Sequence, residues 1–116
     1  MQEVYKYYEC DKKAGVQIIE LPKNVLGGND ALEFSIIVDK FCSTDSSVIV
    51  VDLLQVELMN SSGLGMLVAA LSKTRKQSKH LVLASIPDKI LSLLKMTHLN
   101  ELFTIEASID EAISKI

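Results

Sequence analysis

The sequence predicts a single α/β domain with a mostly parallel sheet, an N-terminal β-hairpin and the element order β-β-α-β-α-β-α-β-α. Two short segments rich in β-forming residues open the chain, two later segments are almost continuously apolar, and four segments space their apolar residues as helices do. Strands that alternate with helices imply right-handed crossovers and parallel pairing. The 116 residues suffice for one core and are assigned to one domain, residues 1–116.

The first elements are the hairpin and a helix. "VYKYYEC" and "VQIIEL" flank the turn-like "DKKAG", which contains Gly15. After the loop "LPKNVLGGND", Asp30 and Glu33 have the spacing of a capping box and predict a helix start. The inner face of this helix is predicted to comprise Leu32, Ile36, Ile37 and Phe41.

The middle of the chain predicts two buried strands and a helix between them. Residues 48–54, "VIVVDLL", are apolar except for Asp52 and predict a strand buried on both faces. Residues 80–85, "HLVLAS", predict another buried strand. From Ser61 the period changes to that of an amphipathic helix. Its apolar positions are Leu64, Leu67, Val68 and Leu71.

The last three elements are a helix, a strand and a helix. Ser85, Pro87 and Asp88 predict the start of the third helix, by capping, a fixed φ and an early carboxylate. Its inner face is predicted to comprise Ile90, Leu91 and Leu94. Residues 102–105, "LFTI", predict a short strand. Ser108 and Glu111 form a second capping box, followed by the apolar stripe Ile109, Ala112, Ile113 and Ile116.

Composition excludes several classes of function. The net charge of −3 argues against nucleic acid as a direct partner. Cys10 and Cys42 belong to no CxxC pair and are expected to be reduced, and the two scattered histidines complete no metal site. The apolar runs are too short to span a membrane and the N-terminus does not resemble a signal peptide, so we expect a cytoplasmic protein without a cofactor.

Residues 60–65, "NSSGLG", lie between a predicted strand and helix. They do not match the G-x-S-x-G motif of a nucleophile elbow, a complete dinucleotide fingerprint or a P-loop, so no enzyme is predicted. Asn60 and Ser61 are both good helix caps, but one cap does not require two serines and two glycines. Glycine in a helix costs about 1 kcal/mol relative to alanine. Gly63 and Gly65 therefore predict a close approach by a neighbouring strand or a partner protein.

The stretch "VVDLLQVELMNSSGLGMLV" resembles the signature of STAS domains, particularly bacterial anti-sigma-factor antagonists, in which a strand is followed by Asp-Ser-Ser/Thr/Ala-Gly-Leu-Gly and a helix. The later "LLKMTHLNELFTI" and "SIDEAI" resemble the last elements of that family. The resemblance runs from about Tyr7 to the C-terminus and implies a STAS-like fold.

The resemblance also implies a mechanism. Ser61, the first serine of the motif, would be phosphorylated by a partner that is both anti-sigma factor and serine kinase. The unphosphorylated domain would bind that partner and free the sigma factor, and a serine phosphatase would reset the switch. The remaining partner-binding positions are expected to be Asn60, Ser62, Gly63, Leu64 and Gly65, together with Asn29 and Asp30 of the "LGGND" loop.

The chain departs from the family at Asn60, where the family usually has Asp. Asn and Asp cap equally well, so we expect the loop geometry to be the same with either residue. We expect the missing carboxylate to lower the rate of phosphorylation by the kinase more than it lowers the affinity for the partner. Two alternatives are a STAS-like scaffold without a phosphorylation switch, and a module that binds a nucleotide or lipid through "LGGND" and "NSSGLG".

Overall fold

A computed structural model describes residues 5–116, apart from the side chains of Asn29 and Asp30. Within this range the strands are β1 (Lys6–Glu9), β2 (Val16–Glu20), β3 (Asn24–Val25), β4 (Val48–Asp52), β5 (Leu58–Met59), β6 (His80–Ala84) and β7 (Thr104–Glu106). The α-helices are α1 (Asn29–Cys42), α2 (Ser61–Lys76), α3 (Asp88–Met96) and α4 (Ile109–Ser114), and a 3₁₀ helix spans Leu99–Glu101. The predicted order is confirmed, with β3 and β5 as two additional short strands.

The main sheet has five strands in the order β1-β2-β4-β6-β7. Strand β1 pairs antiparallel with β2, as the predicted hairpin requires, and the other pairs are parallel. Strand β4 lies at the centre, and all five of its residues are buried. A strand covered on both faces cannot alternate polar and apolar residues, which explains the apolar run from residue 48.

The two faces of the sheet are covered unequally. Helices α1, α2 and α3 pack on one face, where the buried cluster includes Phe34, Leu67 and Leu94. Helix α4 packs on the other face through Ala112, against a smaller cluster that includes Val50 and Ala84. The carboxyl end of β4 leads through β5 to the start of α2, which places residues 60–65 at the edge where α/β sheets carry their functional loops.

The inner face predicted for α1 is wrong at two positions. Leu32 and Ile36 are 64% and 46% exposed, whereas Phe34, Val38 and Phe41 are buried. The helix carries two overlapping apolar stripes, and the sheet is covered by the one with both phenylalanines, which bury more apolar surface. Phe34, Val38 and Phe41 also have the i, i+4, i+7 spacing of a helix face.

Two predicted caps are also wrong. Helix α1 begins at Asn29 with Gly28 at the N-cap, so Asp30 lies inside the first turn and does not begin a capping box with Glu33. Helix α3 has Pro87 at its N-cap, and Ser85 instead adopts a left-handed φ of 57°. Asp88 does lie in the first turn of α3, where a carboxylate is favourable.

The C-terminal elements differ from the prediction mainly in their bounds. Strand β7 begins at Thr104, because Leu102 and Phe103 follow the 3₁₀ helix. Ser108 caps α4 by accepting a hydrogen bond from the Glu111 N–H at 3.1 Å, as predicted. Helix α4 ends at Ser114, so Ile116 lies beyond it and is 43% exposed.

Asp52 is the charged exception in β4, and only 7% of it is exposed. Burial raises the pKa of its carboxyl above the ordinary 3.8, although hydrogen bonds from the Leu54 N–H and the Ser85 side chain oppose the shift. A pKa raised by folding means that the ionised form destabilises the fold. This penalty is absent below pH 3.8 and grows as the pH rises through the folded-state pKa.

We therefore expect Asp52→Asn to increase the free energy of unfolding at pH 7, with a gain that shrinks as the pH falls toward 3.8. The asparagine oxygen can still accept the hydrogen bond from Leu54, and no charge is buried. Urea unfolding at several pH values measures the difference, with Asp45→Asn at an exposed loop position as the control. A less stable Asp52→Asn variant at pH 7 would mean that the hydrogen bonds of the carboxylate outweigh its burial.

Candidate functional site

Asn60 begins the site as the N-cap of α2. Its backbone is extended, with φ −108° and ψ −175°, and its side-chain Oδ1 accepts a hydrogen bond from the Gly63 N–H at 2.9 Å. This satisfies one of the N–H groups that have no partner within the helix. The cap predicted for Asn60 is confirmed, and it fixes where the helix starts.

The two serines follow directly and are both exposed. Ser61 is the first residue of α2, where the positive end of the helix dipole favours a negative charge. Ser62 packs against the β3–α1 loop, because a Cβ built on Gly27 would lie 2.6 Å from the Ser62 Cβ. The serines are therefore not equivalent: Ser62 packs against a neighbouring loop.

The two glycines of the motif also differ. Gly63 is buried, and a Cβ added to it would lie 2.2 Å from the Val25 carbonyl oxygen and 2.9 Å from the Met59 Cγ. Gly65 is exposed, and an added Cβ would have no neighbour within 4 Å among the described residues. The predicted close approach therefore occurs at Gly63, and the neighbour is strand β3. The fold places no such demand on Gly65.

Leu64 is 5% exposed and belongs to the core beneath α2. Of the predicted partner-binding positions in the motif, Asn60, Ser62 and Gly65 are exposed, while Gly63 and Leu64 are buried and shape the loop from within. Asn29 and Asp30 form the first turn of α1 next to Gly28, and their side chains lie outside the described residues.

A two-stranded parallel sheet joins this loop to the segment before α1. Strands β3 and β5 pair with Asn24 opposite Leu58 and Val25 opposite Met59. The Asn60 Nδ2 extends the contact by donating to the Leu26 carbonyl oxygen at 3.1 Å. We call the β3–β5 pairing and the Asn60–Leu26 bond the loop seam. It makes the Leu26–Gly28 loop and the start of α2 one continuous surface.

A groove of about 510 Å³ runs between α1 and α2 beside this surface. One end is formed by the glycines of the Leu26–Gly28 loop, and the floor is mostly apolar. Lys73 lies on the wall, where it donates to the Ser35 hydroxyl and to the Asp39 carboxylate, the latter at 3.0 Å. The lining comprises Gly27, Gly28, Ala31, Phe34, Ser35, Val38, Ser62, Gly65, Met66, Ala69, Ala70 and Lys73.

Sequence analysis missed the loop seam and the groove. Leu26 and Gly27 carry no motif of their own, and their contacts with α2 span 34 residues or more of sequence. Two adjacent glycines after "NVL" were the available signal. Both have positive φ, 87° at Gly27 and 64° at Gly28, which favours glycine.

Residues 7–112 match the family model of the STAS domain. The chain belongs to the STAS domain family. Within this STAS domain, residues 60–65 form the N-cap and the first residues of α2, at the strand-to-helix junction on which the resemblance was based, so the predicted family and fold are confirmed.

Three solved structures are similar to this chain over most of its length. A Thermotoga maritima protein assigned as an anti-sigma factor antagonist is 26% identical, with a TM-score of 0.81 over 97% of this chain and 93% of its own. A sulfate transporter family protein from Wolinella succinogenes is 19% identical, with a TM-score of 0.79 over 89% and 85%. The structure of the anti-sigma factor antagonist SpoIIAA in its unphosphorylated form has a TM-score of 0.74 over 97% of this chain and 96% of its own, and the two sequences are 11% identical.

The last two relatives support the fold alone, since their identities are low. Two features are absent from the described residues, 5–116. No group of three His, Cys, Asp or Glu side chains in this part of the chain could hold a metal ion. No helix in the same part is both long and apolar enough to cross a membrane.

Proposed function

We propose that this STAS domain is an anti-sigma-factor antagonist in the cytoplasm. Its unphosphorylated form binds an anti-sigma factor that is also a serine kinase, and so releases the sigma factor. Phosphorylation of Ser61 prevents this binding, and a serine phosphatase restores it. The observation that carries the proposal is the position of Ser61: exposed, first in α2 and next to the loop seam.

Local electrostatics support Ser61 as the phosphoacceptor. A phosphate adds a charge of about −1.5 to −2, and the N-terminus of a helix is a favourable place for an anion. The first turn of α2 has no acidic residue that would repel the phosphate. The domain can therefore carry the phosphate without unfolding. The modification then acts on the affinity for a partner that binds this surface.

Packing favours Ser61 over Ser62. The Ser62 Cβ is close enough to Gly27 to exclude any side chain there, so a phosphate on Ser62 would lie beside the Leu26–Gly28 loop. This difference agrees with the family resemblance, which assigns the role to the first serine of the motif.

The arrangement of the histidines supports a binding module rather than an enzyme. His80 begins β6, at the amino end of the parallel strands, whereas Ser61 lies at the carboxyl end of β4. His98 follows α3, which returns from the carboxyl end of β6 toward the amino ends. Neither histidine is placed as a base for the serines, as a hydrolase would require.

The test begins with partner identification. Wild-type protein and Ser61→Asp are used as baits, and proteins captured by the wild type alone are identified. The captured serine kinase is then incubated with ATP and with wild-type, Ser61→Ala or Ser62→Ala protein. We expect phosphate on Ser61 in the wild type and in Ser62→Ala, and none in Ser61→Ala. Full modification of Ser61→Ala would refute the assignment.

One observation favours a second candidate, a binding module without a phosphorylation switch. The sequence suggested that such a module would bind its ligand through the segments "LGGND" and "NSSGLG". Both segments line the groove between α1 and α2, at Gly27, Gly28 and Ser62. Among the described lining residues the one lysine, Lys73, is paired with Asp39, so this lining provides no free cation for a nucleotide phosphate, and an apolar ligand suits it better. A thermal shift with fatty acids but no phosphate on Ser61 in native cells would support this alternative.

A further inference from the structure

The Asn60 carboxamide makes two hydrogen bonds to two different parts of the fold. Its Oδ1 accepts from the Gly63 N–H at 2.9 Å, within α2. Its Nδ2 donates to the Leu26 carbonyl oxygen at 3.1 Å, after β3. The first bond caps the helix. The second reaches across 34 residues of sequence and holds the Leu26–Gly28 loop against the start of α2.

Aspartate can make only the first of these bonds. An ionised carboxylate has acceptors and no donor, so at residue 60 it would direct a negative oxygen at the Leu26 carbonyl oxygen. The bond to Leu26 is therefore a reason to expect that Asn and Asp at residue 60 give different loop geometries. Capping is equivalent, but the contact with Leu26 needs the N–H of an amide.

The position of the Leu26–Gly28 loop matters for the surface around Ser61. Gly27 packs against the Ser62 side chain, and Gly27 and Gly28 form one end of the groove. Leu26 is 41% exposed and presents an apolar side chain beside the loop seam. The Asn60–Leu26 bond thus fixes both the apolar side chain and the mouth of the groove relative to the phosphoacceptor.

We propose that Asn60 is a positioning residue that locks the Leu26–Gly28 loop to the start of α2 and so pre-assembles the surface bound by the partner. The effect on the partner rests on the proposed function; the effect on the loop does not. A loop already held in its bound position loses less conformational entropy on association. A chain with Asp at residue 60 would need the partner to order this loop.

The first test uses the isolated protein. Backbone ¹⁵N relaxation measures order parameters for wild type, Asn60→Asp and Asn60→Ser. Both variants keep a good N-cap. Asp has no amide donor, and the Ser hydroxyl is shorter than the carboxamide. We expect values near 0.85 for the Leu26–Gly28 loop in the wild type and below about 0.6 in both variants, with α2 unchanged.

The two variants separate a lost donor from a new charge. If the loop stays rigid in both variants, the Asn60–Leu26 hydrogen bond does not hold the loop in place. If it loosens in Asn60→Asp alone, electrostatic repulsion is responsible and the role assigned to the amide donor is wrong.

The second test uses the anti-sigma kinase captured by the wild-type protein. Losing one hydrogen bond that organises the surface is expected to raise both the Kd and the KM for the STAS domain by roughly tenfold in each variant. The kcat should change much less, because the bond lies outside the reacting groups. Thermal midpoints should stay within a few degrees of the wild type.

The outcomes distinguish this inference from the proposed function. If the wild type is not phosphorylated at Ser61, the proposed function fails. The order parameters still decide whether the Asn60–Leu26 hydrogen bond holds the loop. If Ser61 is phosphorylated and the loop loosens in both variants without a change in Kd or KM, Asn60 does not position the partner surface. A tenfold change of kcat in either direction at constant KM would instead make residue 60 part of the phosphoryl-transfer chemistry, as expected if the missing carboxylate acts mainly on the kinase.

Discussion

Replacing Gly63 with alanine is expected to destabilise the domain by about 2–3 kcal/mol, the upper part of the range of about 1–3 kcal/mol that is typical of overpacking a filled site. The new Cβ would lie 2.2 Å from the Val25 carbonyl oxygen. That atom belongs to the backbone of β3, which pairs with β5, so it cannot move without opening the loop seam. The better helix propensity of alanine offsets only about 1 kcal/mol. Denaturant unfolding of both proteins measures the difference.

Gly65→Ala is the matched control. It makes the same chemical change two residues later in the same helix, at an exposed position where the Cβ has no described neighbour within 4 Å. Alanine is expected to stabilise the domain there by about 0.5–1 kcal/mol. Equal effects at the two positions would contradict the distinction between them, since propensity alone acts equally on both.

Phosphorylation of Ser61 is expected to weaken binding of the anti-sigma kinase by about a thousandfold or more. Burying an unpaired phosphate at an interface costs several kcal/mol, and each 1.4 kcal/mol is a factor of ten. Calorimetric titration of the unmodified and phosphorylated proteins measures the ratio of the two affinities.

The fold of the phosphorylated protein provides the control for this prediction. Because Ser61 is exposed at the N-terminus of α2, the thermal midpoint should be unchanged or slightly higher after modification. A midpoint that falls by ten degrees or more would mean that phosphate acts by unfolding the loop rather than by blocking an interface.

The sequence predicts the larger elements of this fold because their signals are local. The apolar run at β4, the amphipathic period of α2 and the cap at Ser108 each depend on residues within one element. The apolar face of α1 was predicted incorrectly because two stripes overlap, and the sheet is covered by the one with Phe34 and Phe41. A helical period alone cannot choose between such stripes.

The candidate site was predictable in part for the same reason. The cap at Asn60 and the place of Ser61 at the start of a helix follow from a motif of a few consecutive residues. The loop seam does not, since strands of two residues such as β3 and β5 have no detectable period. The Asn60–Leu26 bond joins residues 34 positions apart. The two glycines after Leu26 indicate an unusual backbone there, but not which residue it contacts. The different roles of Gly63 and Gly65 likewise depend on where β3 lies.

The most direct test of the proposed switch follows one protein sample through a full cycle. Affinity for the anti-sigma kinase is measured before phosphorylation, after stoichiometric phosphorylation confirmed at Ser61, and again after treatment with a serine phosphatase. If Ser61 is the switch, the affinity is high before phosphorylation, falls by about a thousandfold after it, and recovers fully after dephosphorylation. Equal affinity in all three states would contradict it, because the phosphate on Ser61 would then have no effect on the partner.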